Sequence, residues 1–422
     1  MPHSHRHALP VKDADEAMQE FEPSRAVTVA IRSAIASAAA ITLLGLVVLW
    51  PSASTRSASD PDLFSDPPIK ASVTDATIAP CTGTTEADEI SCNFVSLHLD
   101  GQTTPVPVVP RGGGPTTPSG QPTIEQGVSG VGGLRPGDDI YVNMTVLADG
   151  SVSFSFYDYQ RATQMWVLVI AFVAAVLVLG RWRGLGAIAG LAASLWIIVK
   201  FLLPSILDGH SPVMVAIIAS SLIAFIALYL AHGFTVPTSV ALLGTFASLA
   251  ATAVLSLLFV AWSNLTGLSD ESALYLTSLG INVDLQGIVL AGFVIGALGV
   301  LDDVTVTQVS AVLELRAAQP DLTRGELYRA AVRIGRDHIS STVNTLFLAY
   351  AGAALPLLLL FTQAGQGVGS LAGREIIATE IIRSLVGSIG LVSAVPITTW
   401  LAVTALAPGS VRHPTEQPIP AV

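Results

Sequence analysis

Two adjacent carboxylates, Asp302 and Asp303, follow an apolar run in the stretch "GVLDDVTVTQVSAVLEL", Gly299 to Leu315. An acid at a bilayer centre costs roughly 2.5–3.5 kcal/mol even on lenient insertion scales, so the pair either sits at the interface or holds something. Neighbouring carboxylates raise one another's pKa and can exchange a proton, and their oxygens suit hard cations. On a helix, Asp303, Thr307, Ser310 and Glu314 share one polar stripe, with Gln308 in the same stretch. Downstream, "RIGRDHISSTVNTLFLAY" repeats the arrangement: Asp337, Ser341 and Asn344 fall on one line, with His338 and Thr345 close by. Two facing polar stripes at the cytoplasmic ends of consecutive spans would form a site, because such groups in lipid must turn toward partners or water. The opposing reading ends the span at Leu301, leaves the aspartates among lipid headgroups and makes the chain to His338 a cytoplasmic helical hairpin.

A second constellation lies near the start of the last apolar run, where Glu380 and Arg383 are one turn apart and Ser384 and Ser388 continue the polar line. A charged pair in a span is a functional-site hypothesis; against it stands a plain ion pair that makes Arg383 tolerable. The candidates for an ion or transport site are therefore Asp302, Asp303, Thr307, Gln308, Glu314, Asp337, His338, Asn344, Glu380 and Arg383. No HExxH, G-x-S-x-G or Walker pattern occurs, so no catalytic residues, cofactor or enzyme activity are expected. An intramembrane hydrolase using Asp302 and Asp303 as an acid pair is the remote alternative. His3, His5 and His7 belong to a polar tail without fixed geometry, and no metal site is expected there.

The elements that must position these residues are spans. Of 422 residues, 51% are hydrophobic and 12% charged, against roughly 25% charged in soluble domains. The mean hydropathy is +0.64. This composition indicates an α-helical polytopic membrane protein, and the acidic balance gives nucleic-acid binding no support. Residues 1–25 read as a cytoplasmic disordered tail and 26–51 as a transmembrane anchor, a retained segment being favoured over a cleaved signal peptide. Seven more apolar runs, near 164–180, 184–203, 212–231, 236–262, 286–303, 340–361 and 376–405, bring the expectation to eight transmembrane helices, with a membrane domain over 162–407 and a cytoplasmic tail over 408–422.

Between the first two spans, residues 52–161 turn rich in Ser, Thr, Pro, Gly and Asp, with alternating runs in "SCNFVSLHLD", "DDIYVNMTV" and "GSVSFSFYD". These predict a small extracytoplasmic β domain, a barrel of about five strands or a small sandwich, with a flexible Pro/Gly loop inserted. Cys81 and Cys92, the two cysteines of the chain, both fall there and predict one disulfide in an oxidising compartment. The arginines of "RWR" (Arg181 to Arg183), Arg316 to Arg336, Arg412 and Arg25 fall on one side of an alternating chain, which predicts cytoplasmic termini and an external β domain. Pro320 breaks the chain, and "TRGE" (Thr323 to Glu326) is a capping box opening an amphipathic helix whose apolar side is Leu327, Ala331 and Ile334. Gly292, Gly296 and Gly299 predict a close helix approach.

The blocks "GALGVLDDVTVTQVSAVLEL", "IGRDHISSTVNTLFLAYAGAALPLL" and "EIIRSLVGSIGLVSAVPITT" resemble the signature segments of the YibE/F-like multi-spanning bacterial membrane proteins, over about residues 135–405. The resemblance implies a bacterial plasma-membrane location and carries no activity with it. A fainter similarity, to protein-export subunits of the SecF type, hints at proton coupling. The leading expectation is a permease-like protein moving an unknown small solute or ion, with proton coupling and the β domain as gate or docking module. The alternative is an accessory or sensory protein whose β domain binds an envelope partner. Beyond the lipid bilayer, the substrate, any protein partner and the oligomeric state are not encoded legibly.

Overall fold

The computed structural model describes residues 25–52, 68–80, 91–99, 102–107, 135–146, 152–269, 271–278, 280–281, 283–363 and 373–406. Two compact units divide the chain: residues 58–175 form one, and residues 1–57 with 176–422 the other.

Among the described residues, seven helices are long and apolar enough to cross a membrane: α1 (Arg25–Val48), α2 (Ala162–Trp182), α3 (Gly184–Leu207), α4 (Pro212–His232), α5 (Val236–Trp262), α7 (Leu285–Ala318) and α10 (Glu375–Leu406). A short α6 (Glu271–Ser278), the polar α8 (Arg324–Ala353) and α9 (Leu355–Gln363) complete the set among the described residues. Arg181, at φ 49°, makes the turn between α2 and α3, and Gly233, at φ 77°, closes α4 where a side chain would be strained. Proline in the first turn opens α4 and α5, and the Thr235 and Asp284 side chains cap α5 and α7.

The eighth expected run, 340–361, does not form a helix of its own. Its first part continues α8, which starts at the Thr323–Glu326 capping box and runs unbroken to Ala353; Ala354 then interrupts the chain before α9. The expected cytoplasmic helix and the expected span are thus one helix. Its inner side buries Leu327, Ala331 and Gly335, while Ile334, assigned to the apolar side, is 45% exposed.

Helices α5, α7 and α10 form the centre, with α4 and α8 against α7. The contact between α5 and α10 is antiparallel and keyed by small residues at two levels. A Cβ at Gly244 would meet Thr398 Oγ1 at 2.5 Å, and one at Gly390 would run into Thr252. Helix α3 meets α4 in the same manner, Gly186 against the Leu230 carbonyl and Gly190 against Ala227. The expected glycine motif on α7 does not do this: Gly292 and Gly299 face open space, and Gly296 approaches only the Tyr350 hydroxyl, at 3.1 Å. At one end of the bundle, Ser52 donates through N and Oγ to the two Asp208 carboxylate oxygens (2.8 and 2.9 Å), which ties the exit of α1 to α3. Glu375 accepts from the backbone of Thr266 and Gly267, at 2.5 and 2.6 Å, and so fastens the loop after α5 to the start of α10.

The other unit is a five-stranded antiparallel sheet of order β3-β2-β1-β4-β5, with β1 (Ile69–Pro80), β2 (Ser91–Leu99), β3 (Gln102–Pro107), β4 (Asp139–Val146) and β5 (Val152–Tyr159). Ala71, Val73, Ile140 and Val142 are buried on its inner face. The edge strands β3 and β5 approach within 8 Å between Cα atoms, the curl of a sheet closing toward a small barrel. Cys92 in β2 pairs with Ala79. Of the expected Pro/Gly loop, residues 105–107 instead pair with β2 as the end of β3, since a proline is tolerated on an edge strand; its remainder, Cys81, and the tails over 1–24 and 407–422 lie outside the described residues.

Candidate ion site between three helices

Register fixes the depth of each candidate. Helix α4 has 21 residues, about 31 Å of rise, which matches the ~30 Å hydrocarbon core with no slack. Its first residue, Pro212, packs beside Gly287 of α7, and Tyr229 in its last turn hydrogen-bonds Ser239 of α5 at 3.0 Å. Thr305 of α7 meets Thr245 of α5, oxygen to oxygen at 2.8 Å, so in this antiparallel pair Asp302 stands level with Ser248. Nine residues separate Ser248 from Ser239, about 14 Å of helix, and 15 separate Asp302 from Gly287, about 22 Å. Asp302 and Asp303 therefore sit deep within the bundle and not at its end.

The two neighbours differ in what surrounds them. Asp303 is 73% exposed, whereas Asp302 Oδ1 is buried and finds no hydrogen-bond partner among the described residues. Two hydroxyls adjoin Asp302: Thr245 approaches its carboxylate, and Thr305 Oγ1 donates to its backbone carbonyl at 3.1 Å. By register Ser248 of α5 is level with Asp302, and Thr398 of α10, which faces Gly244, is about one turn away; both are wholly buried. The Oγ atoms of Ser248 and Thr398 also lack a partner among the described residues. A carboxylate oxygen and two hydroxyls left unmatched in one low-dielectric region are costly, each hydroxyl at ~1–3 kcal/mol. Oxygen ligands of this kind suit a proton or a hard cation.

The buried polar line of α7 is thus Asp302, Thr305 and Gln308. The expected stripe of Asp303, Thr307, Ser310 and Glu314 lies on another face, with Asp303, Thr307 and Glu314 exposed. Gln308 ties three helices together, for its Nε2 donates to the Ala331 carbonyl (2.9 Å) and to Thr399 Oγ1 (2.7 Å), which joins α7, α8 and α10. Gly335 leaves room for it, since a Cβ there would come to 2.6 Å from Gln308 Oε1.

On α8, His338 faces α7, with Nε2 3.7 Å from Asp303 Oδ2. Asp337, Ser341 and Asn344 turn outward. Glu380 and Arg383 form the expected pair at 2.7 Å, and the guanidinium lies 5.3 Å from the Phe293 ring centroid. Phe293 is nine residues before Asp302, about 14 Å along α7, so this pair belongs to a separate cluster with Tyr350. Thr245, Ser248, Thr305 and Thr398 were not among the sequence candidates. Their signal is the recurrence of Thr245, Ser248, Thr252 and Ser256 every three or four residues along α5, a helical stripe of hydroxyls in an otherwise apolar run.

A bundle of apolar helices around a buried polar centre defines an integral membrane protein of the polytopic helical class. The family model of the YibE/F-like proteins matches residues 168–408, more than half of the chain, and the protein belongs to that family. No curated protein and no solved structure matches it.

Proposed function

We propose that the protein is a permease-like carrier in which Asp302 binds the transported or coupling ion, a proton in the first instance. The observation that supports this is the buried, unmatched Asp302 Oδ1 beside Thr245 and Thr305, well inside the helix bundle. Ionisable groups at such depth face an interior or a water path and act in proton and ion relays. In this reading the chain lies in the bacterial plasma membrane with both termini cytoplasmic, and the curled sheet outside as gate or docking module, in keeping with the arginine asymmetry. That one of the adjacent acids faces the core and the other does not favours this reading over a hydrolytic dyad.

The test is flux. Purified protein in liposomes with a trapped pH dye, under an imposed potential, should carry protons, and Asp302→Asn should abolish the signal while insertion and folding persist. Absence of flux of protons, sodium or potassium through the wild-type protein at both polarities would remove the reading.

A further inference from the structure

Helix α8 is too polar to count among the membrane-crossing helices, yet it packs at their depth. Gly335 stands against Val395 of α10 and Gln308 of α7, and His338 against Asp303. Val395 is 11 residues from the last residue of α10, so this level is about 16 Å inside that end. Beside it, on the side of α8 turned away from the bundle, Arg333, Arg336, Asp337, Ser340, Ser341 and Asn344 are all exposed. Asp303 and Thr307 of α7 are exposed at the same depths. An arginine near the interface can snorkel, but Asp337, Asp303 and Asn344 are too short to reach it. Hydrocarbon cannot be what covers this face.

We propose that the outer face of α7 and α8 lines a water-filled vestibule, open at the bundle end where α5 begins and ending near Asn344, with Asp303 on its wall, 3.7 Å from His338. Two features favour water over a second copy of the chain. The exposed face from Arg329 to Asn344 is polar apart from Ile334 and gives way to the exposed apolar residues Phe347 and Leu348, the profile of a half-channel that stops partway. Membrane helix contacts are built on small residues, whereas this face carries a row of arginines that a two-fold contact would bring close together. In the permease reading, on which only its purpose rests, the vestibule supplies Asp302 with its ion from one side of the membrane.

Solvent access is measured without any transport. In the full chain, Ser340→Cys and Asn344→Cys should react with a membrane-impermeant methanethiosulfonate applied to one face of sealed vesicles, and Leu348→Cys should not. Wild-type protein sets the background from Cys81 and Cys92. Loss of that labelling at Ser340→Cys and Asn344→Cys, with reaction only toward a lipid-soluble maleimide, would overturn the vestibule. Oxidative cross-linking of Ser340→Cys between chains, together with protection from the reagent, would overturn it in favour of a second copy. A chain that labels as expected but carries no ion would leave the vestibule standing and remove the permease.

Discussion

Asp302 and Asp303 are joined by one peptide bond and face different surroundings: Asp302 Oδ1 is buried in the core of α5, α7 and α10, while Asp303 is 73% exposed and lies 3.7 Å from His338. Successive side chains on a helix are about 100° apart, enough to divide a pair between the interior and the outer face. Replacement by Asn should therefore act unequally. Asp302→Asn is expected to abolish ion flux at every pH tested, because an amide in the core cannot exchange a proton. Asp303→Asn should slow flux and leave it measurable. Equal effects of the two substitutions in the liposome assay would contradict this division.

The keyed contact of α5 and α10 predicts a rescue. At Gly390 an added methyl would meet Thr252, so Gly390→Ala should destabilise the protein by ~1–3 kcal/mol, the usual cost of overpacking. Thr252→Ala on that background removes the obstructing atoms and should recover most of the loss. Thermal unfolding in detergent reads both changes, and a double variant no better than Gly390→Ala would refute the contact.

Gln308 and Thr307 are neighbours with opposite expectations. Gln308→Leu removes the hydrogen bonds to the Ala331 carbonyl and the Thr399 hydroxyl, which keep their own helix bonds, at ~0.5–1.5 kcal/mol for each bond lost. Thr307→Val, on the exposed side, should leave the unfolding temperature near the wild-type value. Unfolding curves for the two variants, measured side by side, decide the matter.

Glu326 closes the capping box of α8: Thr323 donates through N at 3.0 Å and Oγ1 at 2.7 Å to its carboxylate, which holds the Glu326 pKa below its usual value of 4.5. A carboxyl whose folded pKa is depressed stabilises the helix start above its unfolded pKa, and that contribution is lost as pH falls through the folded value. Hydrogen exchange of the amides at 324–327 should quicken, relative to the α8 interior, when pH is lowered through that window. Glu326→Gln should exchange at the faster level throughout.

The register of β1 with β2, with Pro80 opposite Ser91 and Ala79 opposite Cys92, puts Cys92 one residue inside a hairpin whose other arm continues into Cys81. A bridge across so short a loop would contribute ~3 kcal/mol. Non-reducing mass spectrometry of protein from intact cells should find the two joined, and ready labelling of either thiol would exclude it.

Local chemistry makes much of this molecule legible in its residues alone. Six apolar runs became helices at nearly their expected limits, because hydrocarbon demands about 20 residues with every backbone group satisfied within the segment, a requirement that acts on composition. The capping box and the period-two runs of the β unit were legible for the same reason, each set by neighbours in the chain. Which face of a helix turns inward is a different matter. A helix such as α7, with apolar residues on every side, carries no local signal to choose between the line of Asp302, Thr305 and Gln308 and that of Asp303, Thr307 and Glu314. The choice was made by the partners: Thr245 on α5, and Thr399 with the Ala331 carbonyl on α10 and α8, offer hydrogen bonds to one line only. Depth likewise came from elsewhere in the chain. The close pairs Gly244 with Thr398 and Gly390 with Thr252 set the register of α5 on α10, and the Thr245–Thr305 contact sets that of α5 on α7. Contacts between residues 60 to 154 positions apart thereby carry Asp302 into the middle of the bundle.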